Sequence, residues 1–168
     1  LAVFAEKLYD LKGLVLCLDL DLIITGPLDD LFDYPGEVII IRDWIKKDGT
    51  GNSSVYRFEI GAHPEILAQF ESSFEVIKNR HRNEQEYLSS VLMSKNALVY
   101  WPDTWCRSFK RHCIKPLSFF TAEETEIPQD ARIIVFHGKP DPHEAIIGRS
   151  GKWYRRFRPA TWIAEHWQ

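Results

Sequence analysis

The sequence predicts an α/β domain built on a mixed, mainly parallel sheet flanked by helices. Three observations carry that expectation. Leu14–Leu18 and Val38–Ile41 are uninterrupted apolar runs of strand length, as expected of strands buried on both faces in a parallel sheet. Apolar residues then recur at helical spacing, first at Ile66, Leu67, Phe70, Phe74 and Ile77, and again at Tyr87, Leu88, Val91 and Leu92. At 168 residues, 45% of them apolar and 27% charged, the chain has the size and composition of one globular domain able to bury a sizeable core.

The elements follow in order. Val3, Phe4, Leu8 and Leu11 share a helical face, with Gly13 placed to end that helix. The strand Leu14–Leu18 comes next and stops at Asp19-Leu20-Asp21. Pro27 suits the first helical position of a short helix over Leu28–Phe32, in which Asp29 and Asp30 read as first-turn acids. Val38–Ile41 is a second buried strand, Lys46–Ser54 a loop rich in Gly, Asn and Ser, and Val55–Ile60 a returning strand. Pro64 opens a helix reaching Ile77. Asn83 caps another, with Glu86 three residues later as its capping-box partner and Glu84 complementing the helix dipole. Ala97–Tyr100 is a short strand, Trp101–Ile127 an irregular stretch rich in aromatic and basic residues, and Ile133–Phe136 the last strand. Trp162, Ile163 and Trp167 mark an amphipathic C-terminal helix that docks on the domain or on a partner. No repeat or linker divides the chain, which reads as a single domain over 1–168. A strand buried on both faces needs a neighbour on each side, and few strands surround Leu14–Leu18. The expectation is therefore a fold lacking its N-terminal strands.

The net charge of −3 gives no reason to expect nucleic acid or an anionic membrane as partner. Three cysteines cannot all pair, none has zinc-finger spacing, and Cys17 lies inside an apolar strand, which points to a reducing, cytoplasmic compartment. No apolar run approaches transmembrane length, and no signal peptide opens the sequence. Nothing in the sequence sets an oligomeric state.

Asp19 and Asp21 carry the chemistry. At i and i+2 of an ideal strand they share a face, opposite Leu20. Ligands of parallel sheets sit beyond the carboxyl ends of strands, and two carboxylates there are expensive to desolvate without a cation. A divalent metal with hard oxygen ligands, which usually also holds a phosphate, is the simplest such partner. The alternative is a solvated acidic turn. A second polar cluster, His137-Gly138-Lys139-Pro140, closes the last strand. A neutral imidazole there completes a carboxylate set in a way that favours manganese over calcium. Gly138 lets the backbone approach a phosphate, and Lys139 supplies a point charge to it. Taken alone, this cluster reads equally as a Gly-Pro turn with an incidental histidine. The two clusters together indicate a metal–diphosphate site.

The ordered set LCLDLDLIITGPLDDLF, GNSSV, NEQEYLSS and FHGKPDP resembles the GT-A-fold nucleotide-sugar glycosyltransferases, and within them is most similar to the glycogenin-like and lipopolysaccharide galactosyltransferase-like group. The resemblance implies a GT-A-type fold and transfer of a sugar from a nucleotide-sugar donor, here a UDP-sugar, to a glycan or other hydroxyl acceptor, with retention of configuration and Mn2+ or Mg2+ as cofactor. By that resemblance Asp19 and Asp21 match the DXD pair, Asp21 as the more direct metal ligand and Asp19 reaching metal or ribose. His137 matches the third ligand, Lys139 contacts the diphosphate beside Gly138, Asn52 and Ser53 line the donor-sugar side, and Gln85 matches the polar residue near the reacting carbon. The His137-Gly138-Lys139 spacing is compressed relative to the glycogenin-like pattern.

Two rival readings differ in class. A haloacid-dehalogenase-like phosphatase also places Asp-x-Asp after a buried strand, with Asp19 as nucleophile, Asp21 as general acid and magnesium bound. That family follows the pair with small residues where Leu22-Ile23-Ile24 stand here, and it needs a late acidic pair where His137-Gly138-Lys139 stand. The second rival is a non-catalytic glycosyltransferase-like fragment that binds a partner or a glycan. Trp101 and Trp105 read as core packing or as a sugar-stacking platform. The stretches Arg107, Lys110, Arg111, Lys115 and Arg155, Arg156, Arg158, interleaved with aromatics, read as solvated surface or as a site for an anionic acceptor.

Overall fold

The computed structural model describes residues 1–114, 125–149 and 157–166. In chain order its elements are β1 (Leu14–Leu18), β2 (Leu22–Ile24), α1 (Asp29–Asp33), β3 (Val38–Arg42), β4 (Gly51–Glu59), α2 (Pro64–Ser72), α3 (Phe74–Arg80), α4 (Glu84–Ser94), β5 (Leu98–Tyr100), β6 (Cys106–Ser108), β7 (Ile133–Val135), α5 (Pro142–Ile146) and α6 (Ile163–His166). A π-helical turn, Phe109–Cys113, follows β6. No linker composition marks a boundary, yet contacts gather these elements into two compact units: Leu1–Leu18 with Asp29–Trp101, and Asp19–Leu28 with Pro102–Gln168.

The first unit is a four-stranded sheet of order β1-β4-β3-β5. β4 pairs antiparallel with both β1 and β3, and β5 adds parallel to β3. One face sends Val38, Ile40 and Phe58 into a core with Ile66, Ile77, Tyr87, Leu88 and Leu92 from the helices. Pro64 occupies the first turn of α2, and the Asn83 side chain accepts from the Glu86 amide at 3.0 Å to cap α4. The buried Tyr87 hydroxyl is satisfied by the Ile66 carbonyl at 2.8 Å. On the other face Arg57, 3% exposed, donates to the carbonyls of Leu31 at 3.1 Å, Gly36 at 2.9 Å and Phe32, closing the C-terminal end of α1.

β4 carries an irregularity: Ile40 faces Tyr56 but Ile41 faces Asn52, so Ser53–Val55 have no partner in the β3–β4 ladder, while Val55 still pairs with Leu18 of β1. Two bonds hold the bulge. The Asn52 side chain accepts from the Ser54 amide at 2.9 Å, and the Trp101 indole donates to the Val55 carbonyl at 3.1 Å. Gly51 is required beside it, because a Cβ there would lie 2.7 Å from Ile40 Cγ2.

The second unit is a three-stranded sheet of order β2-β7-β6, with β2 antiparallel and β6 parallel to β7. All three β7 residues are fully buried. Their core holds Ile23, Phe109, Cys113, Ile134, Phe136 and Ile163, with the Phe109 and Phe136 rings stacked at 4.6 Å.

The α/β class holds, with corrections. The sheets are mixed but not mainly parallel: three of the five strand pairings are antiparallel. β1 is not buried on both faces. It lies at a sheet edge with β4 on one side only, Leu14 is 47% exposed, and the next four residues are half-buried. The helix expected over Val3–Leu11 is a single 3-10 turn, Ala2–Phe4, because Phe4 turns inward against Phe58 at 4.5 Å and Tyr9 takes a left-handed φ of 53°. The helix from Pro64 is two helices, broken at Ser73, where ψ swings to 27° at a φ of −129°. Leu22–Ile24 is an unexpected strand, and β4 begins inside the expected loop. The C-terminal helix spans Ile163–His166; Trp167, Lys115, Arg155 and Arg156 lie outside the described residues. Among the described residues no helix is long and apolar enough to cross a membrane.

Candidate functional site

The residues singled out in the sequence divide between the two units. Asp19, Asp21, His137, Gly138 and Lys139 belong to the second; Asn52, Ser53 and Gln85 belong to the first.

In the second unit, β2 brings the backbone of Asp21 to the residue before the histidine cluster. Leu22 stands opposite Val135 in the β2–β7 ladder, and one step further the Phe136 amide donates to the Asp21 carbonyl at 3.1 Å. The chain bends at Leu20–Asp21 instead of continuing β1, with Leu20 97% exposed, Asp19 exposed and Asp21 half-buried. Burial pushes the Asp21 carboxyl above the usual carboxylate range; a backbone hydrogen bond opposes this, and the charges of Asp19 and Asp141 add to it. Asp21 is thus a carboxylate that gains from a nearby cation.

His137 is half-buried, and its Nε2 lies 2.7 Å from Ser108 Oγ at the end of β6. The Ser108 amide donates to His112 Nδ1 at 2.9 Å, and Lys110 donates to the His137 carbonyl. Burial, together with the Arg107 and Arg111 charges, holds His112 below the usual imidazole range. Lys110 and His112 both lie in the π-helical turn that follows β6. Sequence reasoning names Lys110 only as part of a basic stretch and does not single out Ser108 or His112, since nothing in sequence distinguishes them from their irregular surroundings.

Gly138 adopts a left-handed φ of 58°, which favours glycine, and is exposed. Lys139 Nζ lies 2.5 Å from Asp141 Oδ2 and 3.2 Å from Glu144 Oε1. The same two acids cap α5, where the Asp141 amide donates to Glu144 at 2.9 Å. These contacts hold both carboxyls below their ordinary range and raise the Lys139 ammonium. Among the described residues, the group whose ligand atoms all lie within 4.8 Å of one another is Asp141, His143 and Glu144. Asp19, Asp21 and His137 do not form a set that tight. Two carboxylates and an imidazole nonetheless fit the donor chemistry of Mn2+ or Mg2+.

In the first unit, Asn52 is 8% exposed and its side chain secures the β4 bulge; Ser53 is half-buried at that bulge. Gln85 is half-buried in the first turn of α4. Glu86 serves structure: it accepts from Lys46 at 2.5 Å and from the Arg82 amide at 2.8 Å. Trp101, 2% exposed, packs in the interior, which leaves no face for a sugar. In the second unit the Arg132 guanidinium covers the half-buried Trp105 ring at 4.1 Å. No protein-family model matches the chain, and no curated protein matches it in sequence.

Proposed function

We propose that the chain is a metal-dependent glycosyltransferase of GT-A type, moving a sugar from a nucleotide-diphosphate donor, a UDP-sugar by the resemblance, to a glycan or other hydroxyl acceptor. The observation that carries the reading is the bond from the Phe136 amide to the Asp21 carbonyl. It ties the backbone of Asp21 to the residue before the His137-Gly138-Lys139 turn, although the two are far apart in sequence.

Breaking the sugar–phosphate bond develops positive charge on the sugar and negative charge on the leaving diphosphate. Asp19, Asp21 and His137 would hold Mn2+ or Mg2+, which supplies a Lewis acid for that leaving group. Gly138 gives the diphosphate access to backbone. Lys139 adds a positive charge by exchanging its anionic partners Asp141 and Glu144 for phosphate oxygens. The donor-side roles of Asn52, Ser53 and Gln85 rest on the resemblance alone. Three free cysteines, of which Cys106 and Cys113 are buried thiols pushed up to about 12, agree with a reducing compartment such as the cytoplasm.

One observation favours a second reading: Asp141 acts on Asp21 and sits with Glu144, which supplies the late acidic pair a phosphatase would need. The two are separated by assaying UDP release from a panel of UDP-sugars with Mn2+, beside hydrolysis of a phosphomonoester with Mg2+. The transferase reading expects metal-dependent UDP release that Asp21→Asn abolishes. Phosphomonoester turnover without UDP release would replace it with the phosphatase.

A further inference from the structure

β1 is an edge strand without the features that keep an edge single. It has β4 on one side only, and its sequence Leu-Val-Leu-Cys-Leu holds no charge, no proline and no bulge. An open apolar edge of this kind templates the addition of another strand. The Ile60 amide donates to the Gly13 carbonyl at 3.0 Å, which fixes the phase of the ladder. Gly13, Val15 and Cys17 therefore turn their backbone groups to β4, and Leu14, Leu16 and Leu18 turn theirs to the open edge. Among the described residues nothing bonds those outward groups. Val15 and Cys17 pack on the core under the helices, which leaves the three leucines on the opposite face, Leu14 exposed and the other two half-buried.

We propose that this edge pairs with β1 of a second copy of the chain, antiparallel about a two-fold axis at Leu16, joining two four-stranded sheets into one. The strand is complementary to itself in this register. Leu16 meets Leu16 of the partner subunit, and Leu14 meets Leu18 of the partner subunit, so every outward-facing residue falls in a pair that exchanges both N–H···O bonds. The leucine side chains then form one row across the axis and cover apolar surface that each protomer leaves open. One residue beyond Leu18, Asp19 comes opposite Gly13 of the partner subunit and next to Lys12 of the partner subunit; both charged residues are exposed and their signs are opposite. A two-fold interface closes on itself, which gives a dimer and not a fibre. The inference does not depend on the transferase reading.

The test uses the whole chain. Sedimentation equilibrium reads the mass of wild type, Leu16→Pro and Leu16→Lys, and circular dichroism reads whether each variant folds. Leu16→Pro removes an outward-facing N–H, which an edge strand tolerates, and Leu16→Lys sets like charges against each other across the axis. The proposal expects wild type at twice the 19.6 kDa of one chain and both folded variants at the mass of one chain. Residues facing each other in a hydrogen-bonded pair lie about 5.5 Å apart at Cα, within disulfide range. Oxidised Leu16→Cys is therefore expected to form a covalent dimer and Leu14→Cys to stay uncrosslinked, a readout that decides the matter even if both disrupting variants fail to fold. A monomeric wild type overturns the proposal and leaves the edge to a strand of another protein. A dimer that persists in folded Leu16→Lys, masses that climb beyond two chains, or crosslinking of Leu14→Cys in place of Leu16→Cys overturn it as well.

Discussion

At the scale of single residues, Asp21 carries a cost that folding imposes on a carboxylate. Its carboxyl is raised by burial and by two neighbouring acids, so the folded chain binds that proton more tightly than the unfolded chain does. By linkage, its contribution to stability falls as pH rises from the unfolded carboxylate range of about 3.9 through the raised folded value. The metal-free Asp21→Asn variant lacks this penalty. Its melting temperature is expected to match wild type near pH 4 and to exceed it at pH 7, a difference that a melting series across pH measures directly. Asp141 and Glu144 carry the opposite sign: their carboxyls are lowered by Lys139 and by the α5 cap, so their contribution is lost as pH falls through the acidic range. Asp21 could be singled out in the sequence because two carboxylates after an apolar run are unusual; its place at the end of the β2–β7 ladder could not. The contact of Ser108 with His137 was not legible, since it comes from a strand pairing that brings distant residues together.

At the scale of elements, what could be read was what is encoded locally. Strands β1 and β3 announce themselves as apolar runs, and α4 by its cap. Asn83→Ala is expected to cost about 1 kcal/mol, measured by urea denaturation, with little change in any metal affinity, because Asn83 bonds only the first turn of that helix. What could not be read depends on pairing. Three residues, Leu22–Ile24, are too few to signal a strand, yet their ladder with β7 creates the candidate site. The β4 bulge was hidden inside a stretch whose Gly, Asn and Ser residues suggest a loop; Asn52 and Trp101 satisfy groups that the bulge would otherwise leave unpaired. The helix expected over Val3–Leu11 is absent although its apolar spacing is helical: Phe4 packs on Phe58 and Tyr9 takes a left-handed φ that an α-helix does not hold.

At the scale of the whole molecule, the α/β class followed from alternating apolar runs and helical patterns, whereas the division into two sheets with separate cores did not. No composition change marks the passage from β1 to β2; the boundary falls at Asp19-Leu20-Asp21 itself, where a bend replaces a continuous strand. The acidic pair that the sequence places at the end of one strand therefore also opens the second unit, in which His137 and Lys139 reside. The transferase account requires this arrangement to bind metal and diphosphate together. The most direct test is the thermal stability of the chain with UDP, with Mn2+ and with both, beside Asp21→Asn. A ligand held only by the folded state at ~100 times its dissociation constant adds about 2.7 kcal/mol. The account predicts an upward shift that needs both ligands and is absent from Asp21→Asn; no shift in wild type under any of the three conditions, or an equal shift in the variant, would contradict it.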